Sequence, residues 1–312
     1  MAKSASSQTS TPAENALRRQ MIERLARHTI AEGRNETAVP GLKVNRISAP
    51  TACHSVTYEP RLILFAQGEK HIQIHRSMIV CDATTYMLTA VDLPVLSQVT
   101  VASMKRPMLG LTLDLDLGEV RRILGHGEFV FPSRRSALRG FATGTATAAL
   151  LEPCLRLLDL LDHPEDIPFL GKTIQREILY RLLRSEHGEF LQSVASTSGN
   201  SHRAAKAIAW LRANYAQPLR VEELARIAEM GVSTLHHHFR ALTSLSPVQY
   251  QKRLRLHVAR ERMLQHADDV ATAAYAVGYE SLSQFTREYS RFFGQPPRRD
   301  VLALRERLMA AD

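Results

Sequence analysis

Seven side chains in the last third of the chain have the types and spacing to read an ordered array of hydrogen-bonding groups. They are Ser233, His236, His237 and Arg240, followed by Ser283, Gln284 and Arg287. An arginine can donate two parallel bonds to a guanine edge and a glutamine can pair with adenine, each contact discriminating by about 1–3 kcal/mol. Serine and histidine can donate or accept at a base edge or a phosphate. The residues ride on a repeat, because Leu235, Phe239 and Pro247 recur 50 positions later as Phe285, Tyr289 and Pro297.

Bond-making chemistry is less well served. His71 and His75 share one face of a strand but lie about 13 Å apart at ~3.3 Å per residue, too far to hold one ion. His54 and Glu69 could join them only through tertiary contacts. His236, His237 and His238 point about 100° apart on a helix and do not converge on a metal. No metal, no cofactor and no catalytic activity are therefore expected. Cys53, Cys81 and Cys154 are odd in number and far apart, which argues against a disulfide framework or a zinc site. A cysteine in or beside a strand reads as a small apolar core residue. Cys53, beside His54, carries a second reading as a candidate sensor, a thiolate whose pKa the imidazolium lowers.

The elements that must position the seven residues follow from periodicity. Val221, Leu224, Ala225 and Ala228 share one helical face, with Glu222 and Glu223 where the helix dipole favours them. Gly231 is expected to end that helix in the left-handed conformation and Ser233 to cap the next, which buries Leu235, Phe239 and Leu242 and turns His238 partly inward. In the second copy a helix over 270–277, a turn at Gly278 and a helix over 281–293 follow the same order. A long basic helix over 247–265 sets the spacing between the copies.

The chain of 312 residues suits two domains. Of its net charge of +9, residues 200–312 hold 17 Lys and Arg against 11 Asp and Glu, a surplus that suits a polyanion. No apolar run reaches the ~20 residues of a membrane span, and no signal-peptide segment opens the sequence, so a cytoplasmic, membrane-free location is expected. Residues 1–12 read as a disordered tail and 14–28 as a helix with Leu17, Met21, Ile22 and Leu25 on its docking side. Period-two stretches at 43–47, 61–65, 71–75, 77–80, 85–88, 95–101 and 109–115, with turns at Gly68-Glu69 and Asp92-Leu93-Pro94, predict a barrel or double-sheet jelly roll. Helices resume from Leu117 to about Phe190, including one over 171–185. The stretch from Leu150 to Leu161 is apolar over more than one face, which marks either a protein partner or a groove between helices. Residues 196–201, within Ala195-Ser-Thr-Ser-Gly-Asn-Ser201, form a linker, and Trp210 on the following helix reads as core.

The paired units resemble the DNA-binding domain of the AraC/XylS family of bacterial transcription regulators. The residues that carry the resemblance include Leu224-Ala225, Leu235-x-x-x-Phe239-Arg240, Ser246-Pro247-x-x-Tyr250, Val277-Gly278-Tyr279, Ser283-Gln284-Phe285-x-Arg287 and Phe293-Gly294-x-Pro296-Pro297. In the N-terminal half, Tyr58-x-Pro60, Gln67-Gly68-x-Lys70 and Val91-Asp92-Leu93-Pro94 resemble the cupin-like sensor domain of one subgroup. The resemblance implies an α+β chain: a cupin-like sensor and dimerisation domain over 13–195, and an all-α domain with two helix-turn-helix units over 202–312. It implies a double-stranded operator as partner, a small effector in the barrel (an aldehyde or another electrophile in some members), RNA polymerase as a further partner, and a homodimer formed near Leu151, Leu155 and Leu158. Two alternatives remain open at this point, a cupin-like metal enzyme fused to a DNA-binding domain and a ligand-independent DNA binder.

Overall fold

The structure is a computed structural model that describes residues 10–74, 77–127, 129, 140–196, 199–266 and 268–309. His75 and most of the expected tail lie outside these residues. Helix α1 (Pro12–His28) opens with a capping box: the Thr11 hydroxyl accepts from the Glu14 amide at 3.2 Å, and Glu14 Oε2 accepts from the Thr11 amide at 3.0 Å. That reciprocal pair, with proline in the first turn, starts the helix two residues earlier than expected.

The strands are β1 (Gly33–Glu36), β2 (Leu42–Ile47), β3 (His54–Tyr58), β4 (Arg61–Gln67), β5 (Glu69–Ile74), β6 (Ser77–Cys81), β7 (Thr85–Thr89), β8 (Leu93–Val101), β9 (Met108–Asp114) and β10 (Phe141–Thr145). They form two antiparallel sheets ordered β1-β2-β9-β4-β7-β10 and β3-β8-β5-β6, the double-sheet outcome rather than a closed barrel. Seven strands match the alternating stretches of the sequence. The other three are short or polar and exist through pairing: β1 on β2, β3 on β8 and β10 on β7. Pro94, expected in a turn, sits in β8 opposite Thr57.

Helices α2 (Leu117–Gly125), α3 (Ala148–Asp159), α4 (Ile167–Leu183) and α5 (Gly188–Ala195) complete the N-terminal half. The leucines expected to carry a dimer contact lie inside the chain. Leu151 and Leu158 are fully buried and Leu155 is 7% exposed, because α3 packs against both α1 and α4. Two neighbours require two apolar faces, so the excess apolar width of α3 is used within one chain, as the groove-filling reading had it. The exposed large apolar residues of this region are instead Phe169, Leu170 and Tyr180 on α4.

The C-terminal half is helical: α6 (Asn200–Ala213), α7 (Val221–Ile227), α8 (Val232–Thr243), α9 (Pro247–Gln265), α10 (Val270–Ala276), α11 (Leu282–Phe293) and α12 (Pro297–Met309). One apolar core runs without a break from the two sheets through α6, α7 and α8 to Tyr250 and Leu254 on α9, and partly buried Trp210 packs against it. A second core gathers Leu256, Ala259, Met263, Ala273, Ala274, Val277, Phe285 and Tyr289. The first helical unit is thus docked on the N-terminal half rather than tethered to it. Polar contacts fasten the seam. Arg212 donates to Glu59 and, at 2.6 Å, to Asp92; the Tyr250 hydroxyl donates to the Asp92 carbonyl at 2.9 Å; and the Gly140 amide donates to the Leu242 carbonyl at 2.5 Å.

Because the α3 leucines are packed within one chain, Leu158→Ala should destabilise folding by about 2–5 kcal/mol. In chemical denaturation the loss should be the same at every protein concentration; a concentration-dependent loss would place the side chain between chains.

Candidate DNA-binding face

Helices α7 and α8 form the first helix-turn-helix unit, α10 and α11 the second, and α9 joins them. The two second helices present the same profile of exposure. Residues 231–234 and 281–284 are exposed, 235 and 285 buried, 236 and 286 half-buried, 237 and 287 exposed, 238 and 288 half-buried, 239 and 289 buried. Leu235, Phe239, Phe285 and Tyr289 are fully buried anchors, and a 3.6-residue period turns the intervening positions outward.

Ser233, His237, Arg240, Ser283, Gln284 and Arg287 are therefore free to meet a partner, His236 is half-buried, and His238 lies partly inward. Burial, with the neighbouring His237, holds the His238 pKa below the usual value, so that ring is neutral near pH 7. Thr234 is exposed at the position that corresponds to Gln284. It was missing from the sequence reading, although the 50-residue offset alone points to it.

The turns correct two expectations. Gly231 is not left-handed: at φ −70° and ψ 151° it is the extended cap of α8, and Ser233 lies inside the first turn. The left-handed residue is Glu229, at φ 54°. The Met230 amide closes this turn on the Ala225 carbonyl at 2.9 Å, as the Tyr279 amide does on Ala274 at 3.1 Å in the second unit. The first helices of the two units are offset by 49 residues and the second helices by 50, so the turns differ by one residue. In the second unit Gly278 is left-handed at φ 88° in the expected turn, and Ser281, expected as the first helical residue, is instead the cap of α11, its hydroxyl accepting from the Gln284 amide at 3.3 Å.

The placement of one unit against the other depends on Arg255 of α9. Its guanidinium donates to the carbonyls of Tyr215 (2.7 Å), Ala216 (3.1 Å), Gln217 (2.9 Å) and Gly278 (2.8 Å). Gln251, one turn earlier, donates to Tyr215 and Gln217 at 3.0 and 2.6 Å. The loop before α7 and the turn before α11 thus share one planar cation. Gly278 approaches so closely that a Cβ there would lie 2.0 Å from the Ala216 oxygen.

On α11, Glu288 accepts from Lys252 at 2.6 Å, Tyr279 at 2.9 Å and Gln284 at 3.3 Å. Desolvation opposes its charge, yet these donors hold its pKa below the usual carboxylate value. The acidic residue nearest the reading positions is thus compensated within the protein. Behind the helix, Arg260 pairs bidentately with Asp300 at 2.7 and 2.8 Å, and Tyr289 donates to the same carboxylate at 2.7 Å.

Cys53 does not receive the activation expected from His54. Cys53 is exposed, but desolvation raises its thiol pKa against the pull of Arg260. Desolvation and the Lys70 charge lower the pKa of His54, so no imidazolium stands beside the sulfur at neutral pH. Cys81 and Cys154 are buried, with thiols pushed up to about 12. His71 bonds Glu69 Oε1 at 3.0 Å, which also accepts from Thr100 at 2.9 Å. Among the described residues no group of three or more His, Cys, Asp or Glu could hold a metal ion, and no helix is long and apolar enough to cross a membrane.

Two family models match the chain, an AraC-type transcriptional regulator N-terminus over residues 38–190 and a helix-turn-helix domain over residues 224–300. The chain belongs to the AraC family of transcriptional regulators. It is similar to the HTH-type transcriptional activator RhaS of Pectobacterium carotovorum, at 31% identity over 103 residues, which is 33% of this chain and 37% of that relative. The matched region thus spans well under two thirds of that relative's length. The fold is similar to an apo form of ToxT of Vibrio cholerae, at a TM-score of 0.54 and 10% identity, covering 88% of this chain and 100% of that one. ToxT with an unsaturated fatty acid bound matches at a TM-score of 0.50 and 10% identity, covering 84% and 93%.

Two outcomes follow from the α9 junction. Gly278→Ala, which forces a Cβ against Ala216, and Arg255→Ala, which orphans four carbonyls, should each destabilise the second unit by at least ~2 kcal/mol. Amide exchange in α10 and α11 should report the loss while the N-terminal sheets remain protected. The second outcome concerns His257, buried behind α11 against Phe292 and Phe293, with desolvation and the Arg260 and Arg253 charges lowering its pKa to about 3. Below about pH 6.5 the unfolded chain takes up a proton that the folded chain refuses. Stability should therefore be fully present above that pH and fall by about 1.4 kcal/mol per unit as pH drops toward 3. His257→Leu should flatten this slope in urea titrations at pH 7 and pH 5.

Proposed function

We propose that this chain is a sequence-specific DNA-binding transcriptional regulator that responds to a small-molecule effector and acts as a homodimer in the cytoplasm. The observation that carries the DNA-binding reading is the exposure profile written twice. Two helices joined by a rigid basic helix turn the same positions outward, as two successive readings of one duplex require. Ser233, His236 and His237 would read bases from the first unit, and Ser283, Gln284 and Arg287 from the second, with Arg240 on a phosphate.

The effector reading rests on buried polar atoms of the N-terminal half. Ser97 Oγ, Thr112 Oγ1 and Arg61 Nε are buried and have no hydrogen-bond partner within the protein. Val95 and Val99 flank Ser97 on the same strand face at 1% and 0% exposure, so Ser97 points between the sheets. Buried polar atoms call for a partner, and a ligand there would supply one. A chain of the same fold, ToxT, holds an unsaturated fatty acid. Phe169, Leu170 and Tyr180 on α4 give a second copy an apolar surface to cover, and RNA polymerase is a further partner for a regulator bound at a promoter. The enzyme alternative draws no support from the relatives, which are regulators.

Selection from random duplexes should return a bipartite site read by two units. On that site Arg287→Ala should relax preference at one position, at a cost of about 1–3 kcal/mol. Arg240→Ala should weaken all sequences alike and reduce the salt slope by about one. The opposite pattern would exchange the two roles, and retention of no sequence preference at moderate salt would end the proposal.

A further inference from the structure

A cleft of about 350 Å³ opens where the start of α3, the end of α4 and the edge strand β10 meet. It lies at the margin of the six-stranded sheet, apart from Ser97 between the sheets. Ala149, Leu150 and Leu182 give it an apolar wall, and Arg181, Arg184 and Glu186 are its charged lining residues. Leu150 and Leu182 are buried, whereas both arginines are exposed. Arg181 shares Glu177 with Arg156.

We propose that this cleft binds a small organic carboxylate and that its occupancy reaches the first DNA-reading helix along β10. The proposal rests on the reading of the chain as an effector-responsive regulator and assigns that effector a site and a chemical class. The volume lies within the ~300–1,000 Å³ usual for small-molecule sites. Planar guanidinium groups match a carboxylate in geometry as well as charge, while the apolar lining accepts a short aliphatic or aromatic body. Among the lining residues Arg181 and Arg184 outnumber Glu186 by one positive charge, which a monoanion would neutralise.

The path to the DNA face is short. Thr145, at one end of β10, lines the cleft. At the other end Gly140 accepts from the Ala90 amide at 3.0 Å and donates to the Leu242 carbonyl, near the end of α8, at 2.5 Å. A Cβ on Gly140 would lie 2.6 Å from the Leu242 oxygen and 2.5 Å from Val91, so the strand and the helix are in direct backbone contact. Among the described residues β10 pairs with β7 alone. The corner after α4 is tied to the same strand pair: the Tyr86 hydroxyl donates to Ser185 at 3.1 Å, and His187 Nε2 donates to the Thr143 carbonyl at 2.7 Å. A ligand seated between that corner and Thr145 binds differently according to where β10 lies, and only such a difference can move α8.

The test uses the full chain with benzoate and hexanoate as probes and benzamide and hexanamide as neutral controls. Melting temperature and affinity for the selected duplex are both measured. The acids should raise the melting temperature and change DNA affinity, whereas the amides should do neither. Arg184→Ala, an exposed change that leaves the fold intact, should weaken acid binding about tenfold or more. Gly140→Ala should keep acid binding but remove its effect on DNA affinity. If no acid stabilises the protein at millimolar concentration, the proposal is overturned. It is also overturned if Arg184→Ala responds like the parent while Ser97→Leu abolishes the response; the effector then sits between the sheets and the regulatory reading survives. Acid binding with no sequence preference for any duplex would instead sink the regulatory reading and leave the cleft's chemistry standing.

Discussion

Two reading helices are useful together only if the angle between them is fixed, and here that angle depends on Arg255. Its guanidinium spans the carbonyls of Tyr215, Ala216, Gln217 and Gly278, oxygens at loop and turn positions where the helix ladder offers no amide to meet them. Burial lowers its pKa, but a guanidinium starts so high that it stays charged. A planar group with five donors can serve several carbonyls at once, which a lysine ammonium cannot do with the same geometry. The Gly278 approach to Ala216 and the left-handed turn that starts α11 are consequences of that junction.

The core divides unequally around it. The first unit shares one apolar core with the two sheets, and the second keeps its own. At the seam Arg212 bridges Glu59 and Asp92, and Tyr250 reaches the Asp92 backbone. Asp92 is largely desolvated, which raises its pKa despite the neighbouring Arg212. A change in the sheets therefore meets α6, α8 and the first half of α9 before it meets the second unit, whose position follows through α9 and Arg255. The seam thus gives the N-terminal half a mechanical hold on one reading helix.

Legibility along the sequence tracked how local each determinant is. The reading face was legible because Leu235, Phe239, Phe285 and Tyr289 impose a helical period, and that period orients every residue between them. Seven strands were legible from alternation. β1, with the sequence Gly-Arg-Asn-Glu, and β10, with Phe-Ala-Thr-Gly-Thr, carry no such pattern; they are strands because β2 and β7 offer unpaired edges. The cap of α8 was misplaced because the left-handed residue is Glu229 rather than Gly231, a choice made by the Met230–Ala225 bond. Cys53 and His54 are neighbours in sequence, but the desolvation that dominates both their pKa shifts, and the Lys70 and Arg260 charges that add to or oppose it, come from the tertiary fold.

The sequence alone determined which residues face outward on the two reading helices, the helical and period-two segments, and the basic surplus of the final third, since each follows from side-chain type and spacing along a single element. Tertiary structure decided what covers each apolar face and which charges meet. The width of α3 states that two surfaces must be buried, but only packing shows that α1 and α4 bury them and that Leu151, Leu155 and Leu158 are spent inside one chain. Arg255 and Arg212 are likewise ordinary basic residues in the sequence. Their carbonyl and carboxylate partners lie tens of residues away, and solvation and Coulomb energies depend on distance in space rather than along the chain.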